Sequence, residues 1–160
     1  MKTALGASAL LSLLLAGCVT SPDAQAPASS VEAEAPPRGA LGERVAYYAG
    51  VYDVPESLID CSIQRESGFN PTLRHGPFWG LMQLRLDTAR SMGYRGAPRG
   101  LLDADTNLKY GVAYLSNAYV VGGRNPERAL RLYASGYFYE AKRKGLLDKL
   151  RTARSAEAAE

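Results

Sequence analysis

Glu66 and the segment Gly80-Leu81-Met82-Gln83 are the parts of this chain whose residue types and spacing could carry chemistry. If residues 54–66 form a helix, Ile59, Ile63 and Glu66 fall at i, i+4 and i+7, so the carboxyl lies on the same face as two core isoleucines. Partial burial and the negative pole at the C-terminal end of a helix both disfavour an ionised carboxylate, and both raise its pKa. Glu66 is therefore predicted to be a general acid that donates a proton near neutral pH. The alternative is a solvated glutamate at a helix end.

The elements that must position these residues are predicted to be helical almost throughout residues 40–154. Apolar periodicity predicts helices over residues 41–52 and over 54–66, the second with Pro55 at its start. A short helix over 87–92 is predicted with Asp87 as its cap. Three more are predicted towards the C-terminus: from Asp103 or Asp105 to Gly122-Gly123, from Asn125-Pro126 to Gly136, and from residue 137 onward with a break at Gly145. No stretch alternates long enough to predict a strand, although residues 71–84 could hold a short hairpin. The expected fold is mainly α, as a single domain with at most a short β-hairpin.

Cysteine and histidine usage gives little support for metal or thiol chemistry. The chain has two cysteines and one histidine, and no spacing of His, Cys and carboxylates resembles a metal site, so neither a metal nor a cofactor is expected. Cys61 follows Leu58 by three residues and Val54 by seven, which is typical of a small buried hydrophobe on a helix. A catalytic pair of Cys61 with His75 is the less favoured alternative.

The N-terminal residues predict an anchored location in the cell envelope. Lys2 and the short apolar run that follows end at Leu15-Ala16-Gly17-Cys18, which resembles the lipobox of bacterial lipoproteins. Residues 1–17 are then a signal peptide, Cys18 carries the lipid, residues 18–39 form a disordered tether, and residues 155–160 are a tail. The predicted location is lipid-anchored and facing the periplasm, at the outer membrane of a Gram-negative bacterium. An ordinary secretory signal with an incidental cysteine is the alternative.

Five short motifs in order carry a resemblance to a known family. They resemble those of the lytic transglycosylase (SLT) domain, which has a lysozyme-like fold related to goose-type lysozyme, and they span about residues 45–140. The motifs are Glu66-Ser67-Gly68-Phe69-Asn70-Pro71, Gly80-Leu81-Met82-Gln83-Leu84, Thr88-Ala89, Asn107 with Gly111 and Tyr114-Leu115, and Tyr133 with Gly136.

The resemblance implies an enzyme that cuts the bond between N-acetylmuramic acid and N-acetylglucosamine in peptidoglycan without water, leaving 1,6-anhydromuramoyl ends. By matching position Glu66 would be the acid and then the base, and Ser67, Met82, Gln83 and Tyr133 would bind substrate. The chain departs from the family's usual Tyr-Asn-Ala-Gly, because Ala134 follows Tyr133. This puts one sugar contact in doubt, and Ser135 could replace it in part.

The charge of the chain limits the kinds of partner that it is expected to bind. The chain has 19 Lys and Arg against 16 Asp and Glu, and this small excess without a recognition motif argues against nucleic-acid binding. Four arginines, Arg85, Arg90, Arg95 and Arg99, either form a positive edge of the cleft or a solvated helical face. The expected partners are peptidoglycan strands, the membrane through the lipid anchor, and cell-wall or secretion machinery, with the protein itself a monomer. Two other functions remain open: a lysozyme-type muramidase that hydrolyses the bond, and a non-catalytic glycan-binding or scaffolding lipoprotein.

Overall fold

The computed structural model describes residues 39–153. The predicted signal peptide, the predicted lipidation site Cys18, the predicted tether up to residue 38 and the predicted tail lie outside the described residues. Within residues 39–153, no helix combines the length and the apolar character needed to cross a membrane.

Helices dominate the described part of the chain, which confirms the mainly α prediction. Six are α-helical: α1 (Ala40–Tyr52), α2 (Glu56–Ser67), α3 (Leu86–Ser91), α4 (Ala104–Val121), α5 (Pro126–Ser135) and α6 (Phe138–Arg143). Short 3-10 segments cover Pro98–Leu102, which the sequence did not predict, and Leu147–Lys149.

Side-chain caps mark the start of two of these helices, α4 and α5. The Asp103 carboxylate accepts the Thr106 backbone N–H at the start of α4, and the Asn125 side chain does the same for α5, where Pro126 is the first residue. The predicted capping role of Asp87 is wrong. Arg85 occupies the N-cap position of α3, and the Asp87 carboxylate instead accepts the backbone N–H of Thr88 and pairs with the Arg85 side chain.

A small antiparallel sheet follows α2. Its strands are β1 (Arg74–His75), β2 (Phe78–Trp79) and β3 (Leu84–Arg85), in that order across the sheet. Phe78 pairs with Arg85, and Trp79 pairs with Leu84. The predicted hairpin is therefore extended by a third strand, which sequence periodicity could not reveal because each strand is only two residues long.

The core surrounds α4. Its predicted apolar face, with Leu108, Val112, Leu115 and Tyr119, packs into the main cluster together with residues of α1 and α2. The opposite face is also covered, because Asn107 and Gly111 are buried. As a result α4 forms the central support for the segments that carry the candidate site.

The prediction that Cys61 is buried is wrong, because its side chain is exposed. At about 100° per residue, the buried residues of α2 (Leu58, Ile59, Ser62 and Ile63) share one arc of the helix. Cys61 lies well outside that arc, and Glu66 lies near its centre. The same geometry that exposes the thiol therefore turns the carboxyl toward the interior.

Candidate active site

A cleft of about 480 Å³ opens beside the C-terminal end of α2. Its walls come from the end of α2, the sheet, α3, α4 and the end of α5. The lining residues are Arg65, Glu66, Phe78, Gln83, Leu84, Arg85, Thr88, Tyr114, Tyr133, Ala134, Ser135 and Gly136. Glu66 is the only carboxylic acid among these lining residues.

Glu66 occupies the penultimate position of α2, where the buried side of the helix meets the cleft. Its carboxyl is half-buried and forms no hydrogen bond or ion pair with another residue of the range 39–153. Burial raises the pKa of Glu66 above its usual value, and the neighbouring Arg65 opposes this shift. The negative pole at the helix end acts in the same direction as burial. The structure thus presents one carboxyl with a raised pKa to the cleft.

Gly80 begins the turn that carries Gln83 to the cleft, and its position requires glycine. Its φ is +70°, and a Cβ at this residue would lie closer than 3.0 Å to Nδ2 of Asn107 and to the carbonyl oxygen of Leu101. Real Cβ atoms do not approach other atoms so closely. The glycine therefore allows the turn to pack directly against α4 and the 3-10 segment before it.

Asn107 holds that turn from inside the core. Its Nδ2 donates to the carbonyl oxygens of Trp79 at 2.8 Å and Leu101 at 2.7 Å, and its Oδ1 accepts the backbone N–H of Met82 at 2.8 Å. All of its side-chain polar atoms are used, and the residue is fully buried. Asn107 fixes both ends of the Gly80 turn relative to α4, and through the turn it positions Gln83.

Gln83 lines the cleft in an unusual backbone conformation. Its φ is +45°, which is uncommon for a residue with a side chain. Its Nε2 donates to the carbonyl oxygens of Gly80 at 2.8 Å and Leu73 at 3.2 Å. Its Oε1 makes no hydrogen bond within the described range, so it can accept one from a ligand amide or hydroxyl.

Tyr133 connects α5 to the same turn. Its Oη donates to the carbonyl oxygen of Met82 at 2.7 Å, and its ring packs edge-on against Tyr114 with centroids 5.4 Å apart. Burial raises the pKa of Tyr133 well above its usual value, and the negative charge of an ionised Glu66 adds to the shift. The phenol therefore stays protonated at neutral pH and donates to the Met82 carbonyl.

Tyr133→Phe should lower the free energy of unfolding by about 1 kcal/mol, because the Met82 carbonyl loses its donor and the Gln83 turn loses a restraint. Urea unfolding tests this. Tyr139→Phe is a matched control, since Tyr139 is 84% exposed on α6 and is not among the cleft-lining residues. Equal behaviour of the two variants would contradict a positioning role for Tyr133.

Two of the predicted substrate-binding residues do not line the cleft. Met82 has 0% exposure and packs against Gly111 of α4, so its side chain lies behind the cleft wall. The Ser67 hydroxyl donates to the carbonyl oxygen of Ile63 within α2 at 3.3 Å. Gln83 and Tyr133 do line the cleft with Glu66. The structure therefore brings together three of the five predicted residues around one cavity.

At Ala134 a methyl group lies on the cleft wall, at the position where the resembled motif usually has an asparagine amide. Ser135 also lines the cleft, but its hydroxyl donates to the carbonyl oxygen of Arg131 at 2.9 Å. Its proton is thus already in use, and the hydroxyl can act toward a ligand only as an acceptor.

Sequence reasoning missed several site residues. Asn107 belongs to one of the motifs but has no predicted role of its own, although an amide at a buried position of an apolar helix indicates a required hydrogen-bond partner. Tyr114 and Thr88 were likewise in motifs without an assigned role, and Arg65 and Phe78 carried no signal. That Arg65 lines the cleft could be expected from its position next to Glu66 in the chain. That Phe78 lines it depends on the register of β2 in the sheet.

Comparisons with known proteins bear on this cleft. The model of the family described as Transglycosylase SLT domain matches residues 44–153. The chain is 41% identical to the protein named membrane-bound lytic murein transglycosylase C of Salmonella typhi, over 47% of this chain and 24% of the relative. The same figures hold for the proteins of that name in Salmonella typhimurium and Klebsiella pneumoniae. The chain thus spans about a quarter of the length of these relatives. No solved structure matches it significantly.

Proposed function

Because this chain belongs to the Transglycosylase SLT domain family, we propose that it is a peptidoglycan lytic transglycosylase. It cleaves the bond between N-acetylmuramic acid and N-acetylglucosamine and leaves 1,6-anhydromuramoyl ends. Glu66 serves first as the acid and then as the base. The match to relatives named as lytic murein transglycosylases supports the reaction class, and the cleft geometry supports the role of Glu66.

The observation that carries the proposal is that Glu66 is the only carboxylic acid lining the cleft of residues 39–153. Glycosidases that use water or a covalent intermediate commonly need two carboxylates across the scissile bond. The acid nearest in the chain to the cleft wall is Asp87, which lines a neighbouring groove and is tied to the Arg85 side chain and the Thr88 N–H. Pairing with Arg85 lowers the pKa of Asp87, so it stays ionised and engaged.

A single carboxyl is sufficient if the substrate supplies the nucleophile. The Glu66 carboxyl donates its proton to the glycosidic oxygen, and the bond from that oxygen to C1 of the muramoyl sugar breaks. The acetamido group of the same sugar stabilises the positive charge that develops. The Glu66 carboxylate then removes the proton from the 6-hydroxyl, whose oxygen bonds to C1. The acid is restored without water, and the net change is one glycosidic bond between two sugars exchanged for one intramolecular glycosidic bond from C1 to O6.

The surroundings of Glu66 fit both steps. Burial favours the protonated form at the start, and no hydrogen bond from the described residues holds the carboxyl away from a substrate. Gln83 offers Oε1 to sugar amide or hydroxyl groups. The aromatic faces of Phe78 and Tyr114 give the cleft apolar surface against which a pyranose ring can pack.

The location proposed for this activity is the cell envelope. The relatives are named as membrane-bound, which agrees with a lipid anchor on Cys18 holding the enzyme at the periplasmic side of the outer membrane. Peptidoglycan strands and the membrane are then its partners. Assembly with cell-wall or secretion machinery is a further expectation from the resemblance.

Product analysis tests the proposal against a muramidase. Purified peptidoglycan digested with the protein should yield muropeptides whose mass is lower by one water than that of hydrolysed products. Products with a reducing muramic acid end would show a hydrolase instead. Unaltered peptidoglycan, under conditions in which a control enzyme works, would favour the non-catalytic glycan-binding alternative.

A further inference from the structure

A second groove, of about 310 Å³, adjoins the cleft, and the Arg85 side chain lines both. We call it the Arg90 groove. Its lining residues are Pro77, Trp79, Arg85, Leu86, Asp87, Arg90 and Pro98. The Arg85 side chain therefore forms the boundary between the cleft and the Arg90 groove.

The groove combines apolar walls with one available positive charge. Pro77, Trp79, Leu86 and Pro98 supply the apolar surface. The Arg85 and Asp87 side chains pair with each other at 2.8 Å and largely neutralise each other.

Because Arg85 pairs with Asp87, Arg90 is the remaining positively charged residue of the groove lining. The Arg90 guanidinium makes no ion pair or side-chain hydrogen bond within residues 39–153. An Arg guanidinium presents a planar fork of donors that matches a carboxylate. The groove therefore fits a short chain with small apolar side chains and a free carboxylate.

We propose that the Arg90 groove binds the stem peptide of peptidoglycan while the glycan strand lies in the cleft. This inference rests on the proposed function. The stem peptide is attached to the lactyl group of the muramoyl sugar, so a strand bound at Glu66 must direct its peptide out of the cleft. The stem carries alanine methyl groups and carboxylates, which are the two chemical features that the groove accommodates. Arg90 binds a stem carboxylate, and Trp79 packs against the peptide.

Trp79 provides a readout that does not depend on activity, because it is the only tryptophan of the chain. Its ring lies in the wall of the groove with the Arg74 guanidinium 4.4 Å from the ring centroid. Binding of a peptide should change the environment of this indole and hence its fluorescence. Titration of the full protein with a stem tetrapeptide, released from peptidoglycan by an amidase, should give a saturable change.

Substitutions at Arg90 test the contact. Arg90→Gln should weaken binding of the tetrapeptide about 5- to 20-fold, since one hydrogen-bonded ion pair is lost. Arg90→Lys should weaken it by less than Arg90→Gln, because the charge is kept but the planar fork of donors is lost. Arg99→Gln is the matched control, because Arg99 is also exposed in this region but does not line the groove. A tetrapeptide whose carboxyls are amidated should bind to wild type as weakly as the free tetrapeptide binds to Arg90→Gln. Absence of a Trp79 signal, or equal affinity in wild type and Arg90→Gln, would overturn the proposal.

Cleavage rates separate this inference from the proposed function. Wild type should cleave strands that bear peptides with a kcat/KM about 5- to 20-fold higher than strands stripped by the amidase. Arg90→Gln should lose that preference and cleave stripped strands at the wild-type rate. If wild type cleaves both substrates equally, the groove does not bind the stem, although the proposed function stands. If wild type cleaves neither but still binds the tetrapeptide through Arg90, the proposed function fails and the groove remains.

Discussion

Glu66→Gln should lower kcat at least about 10²-fold and as much as about 10⁴-fold, the range expected when a general acid is removed. The amide keeps the shape of the side chain but cannot donate a proton to the glycosidic oxygen or accept one from the 6-hydroxyl. No other carboxyl lines the cleft of residues 39–153, so no neighbour can replace it. Release of muropeptides from purified peptidoglycan, followed by chromatography, measures the loss.

The fold should survive this substitution. Because burial raises the pKa of Glu66 in the folded protein, the folded state favours the protonated carboxyl, and this contribution to stability is lost as pH rises through that pKa. The neutral amide avoids the loss, so the melting temperature of Glu66→Gln at pH 7 should equal or exceed that of wild type. Glu127→Gln, at an exposed ion pair on α5, is the matched control and should keep full activity. Near-normal turnover by Glu66→Gln would show that the acid lies elsewhere.

Gly80→Ala should reduce the free energy of unfolding by about 2–5 kcal/mol, a large part of the stability of a domain of this size. A Cβ here meets Nδ2 of Asn107 and the carbonyl oxygen of Leu101, and both belong to the buried network that anchors the turn. Overpacking of this kind costs about 1–3 kcal/mol. The positive φ of Gly80 adds about 1–2 kcal/mol for a residue with a Cβ. Molecules that fold should also turn over slowly, because Gln83 is displaced.

Gly76→Ala isolates the cost of a positive φ for a residue with a Cβ. Gly76 also has a positive φ, of +55°, but a Cβ there would have no atom within 4 Å. Its substitution should therefore cost only the conformational strain of about 1–2 kcal/mol. Urea unfolding of the two variants gives the difference, which measures the close packing of the turn on Asn107. Equal losses at Gly80 and Gly76 would contradict that packing.

The face of α2 that carries Glu66 could be predicted from sequence, because helical periodicity depends only on local geometry. Glu66 repeats the phase of Ile59 and Ile63, and all three turn inward. Cys61 shows how the same argument can fail. A spacing of three residues from Leu58 leaves the thiol far from the centre of the buried arc, whereas the neighbouring Ser62 lies within it. Burial on a helix therefore depends on how far a residue lies from the centre of the buried arc, and not on its spacing from one buried neighbour.

The support of the site could not be predicted in this way. Asn107 bonds to Met82, which lies 25 residues earlier in the chain, and Tyr133 bonds to the same residue across 51 positions. Such pairings depend on how α4 and α5 pack, which no local pattern encodes. The strands are too short to show alternation, and the positive φ of Gln83 is set by the turn that Gly80 begins. Family motifs located these residues, but the structure supplies the physical reason for several of them.

Met82 illustrates the difference between a residue's location in a motif and its role. The motif implied a contact with the glycan, whereas the side chain fills the core beside Gly111 and the backbone is bonded on both sides. Met82 therefore supports the turn that carries Gln83.

The most direct test of the account is the ionisation of Glu66 itself, followed by NMR of the labelled carboxyl carbon alongside kcat/KM as a function of pH. This carboxyl should titrate above the value of about 4.3 for an unperturbed glutamate. Cleavage should decline as pH rises through the pKa of Glu66, because only the protonated form can donate. A Glu66 that titrates at or below the ordinary value, with cleavage undiminished while the group is fully ionised, would contradict the account.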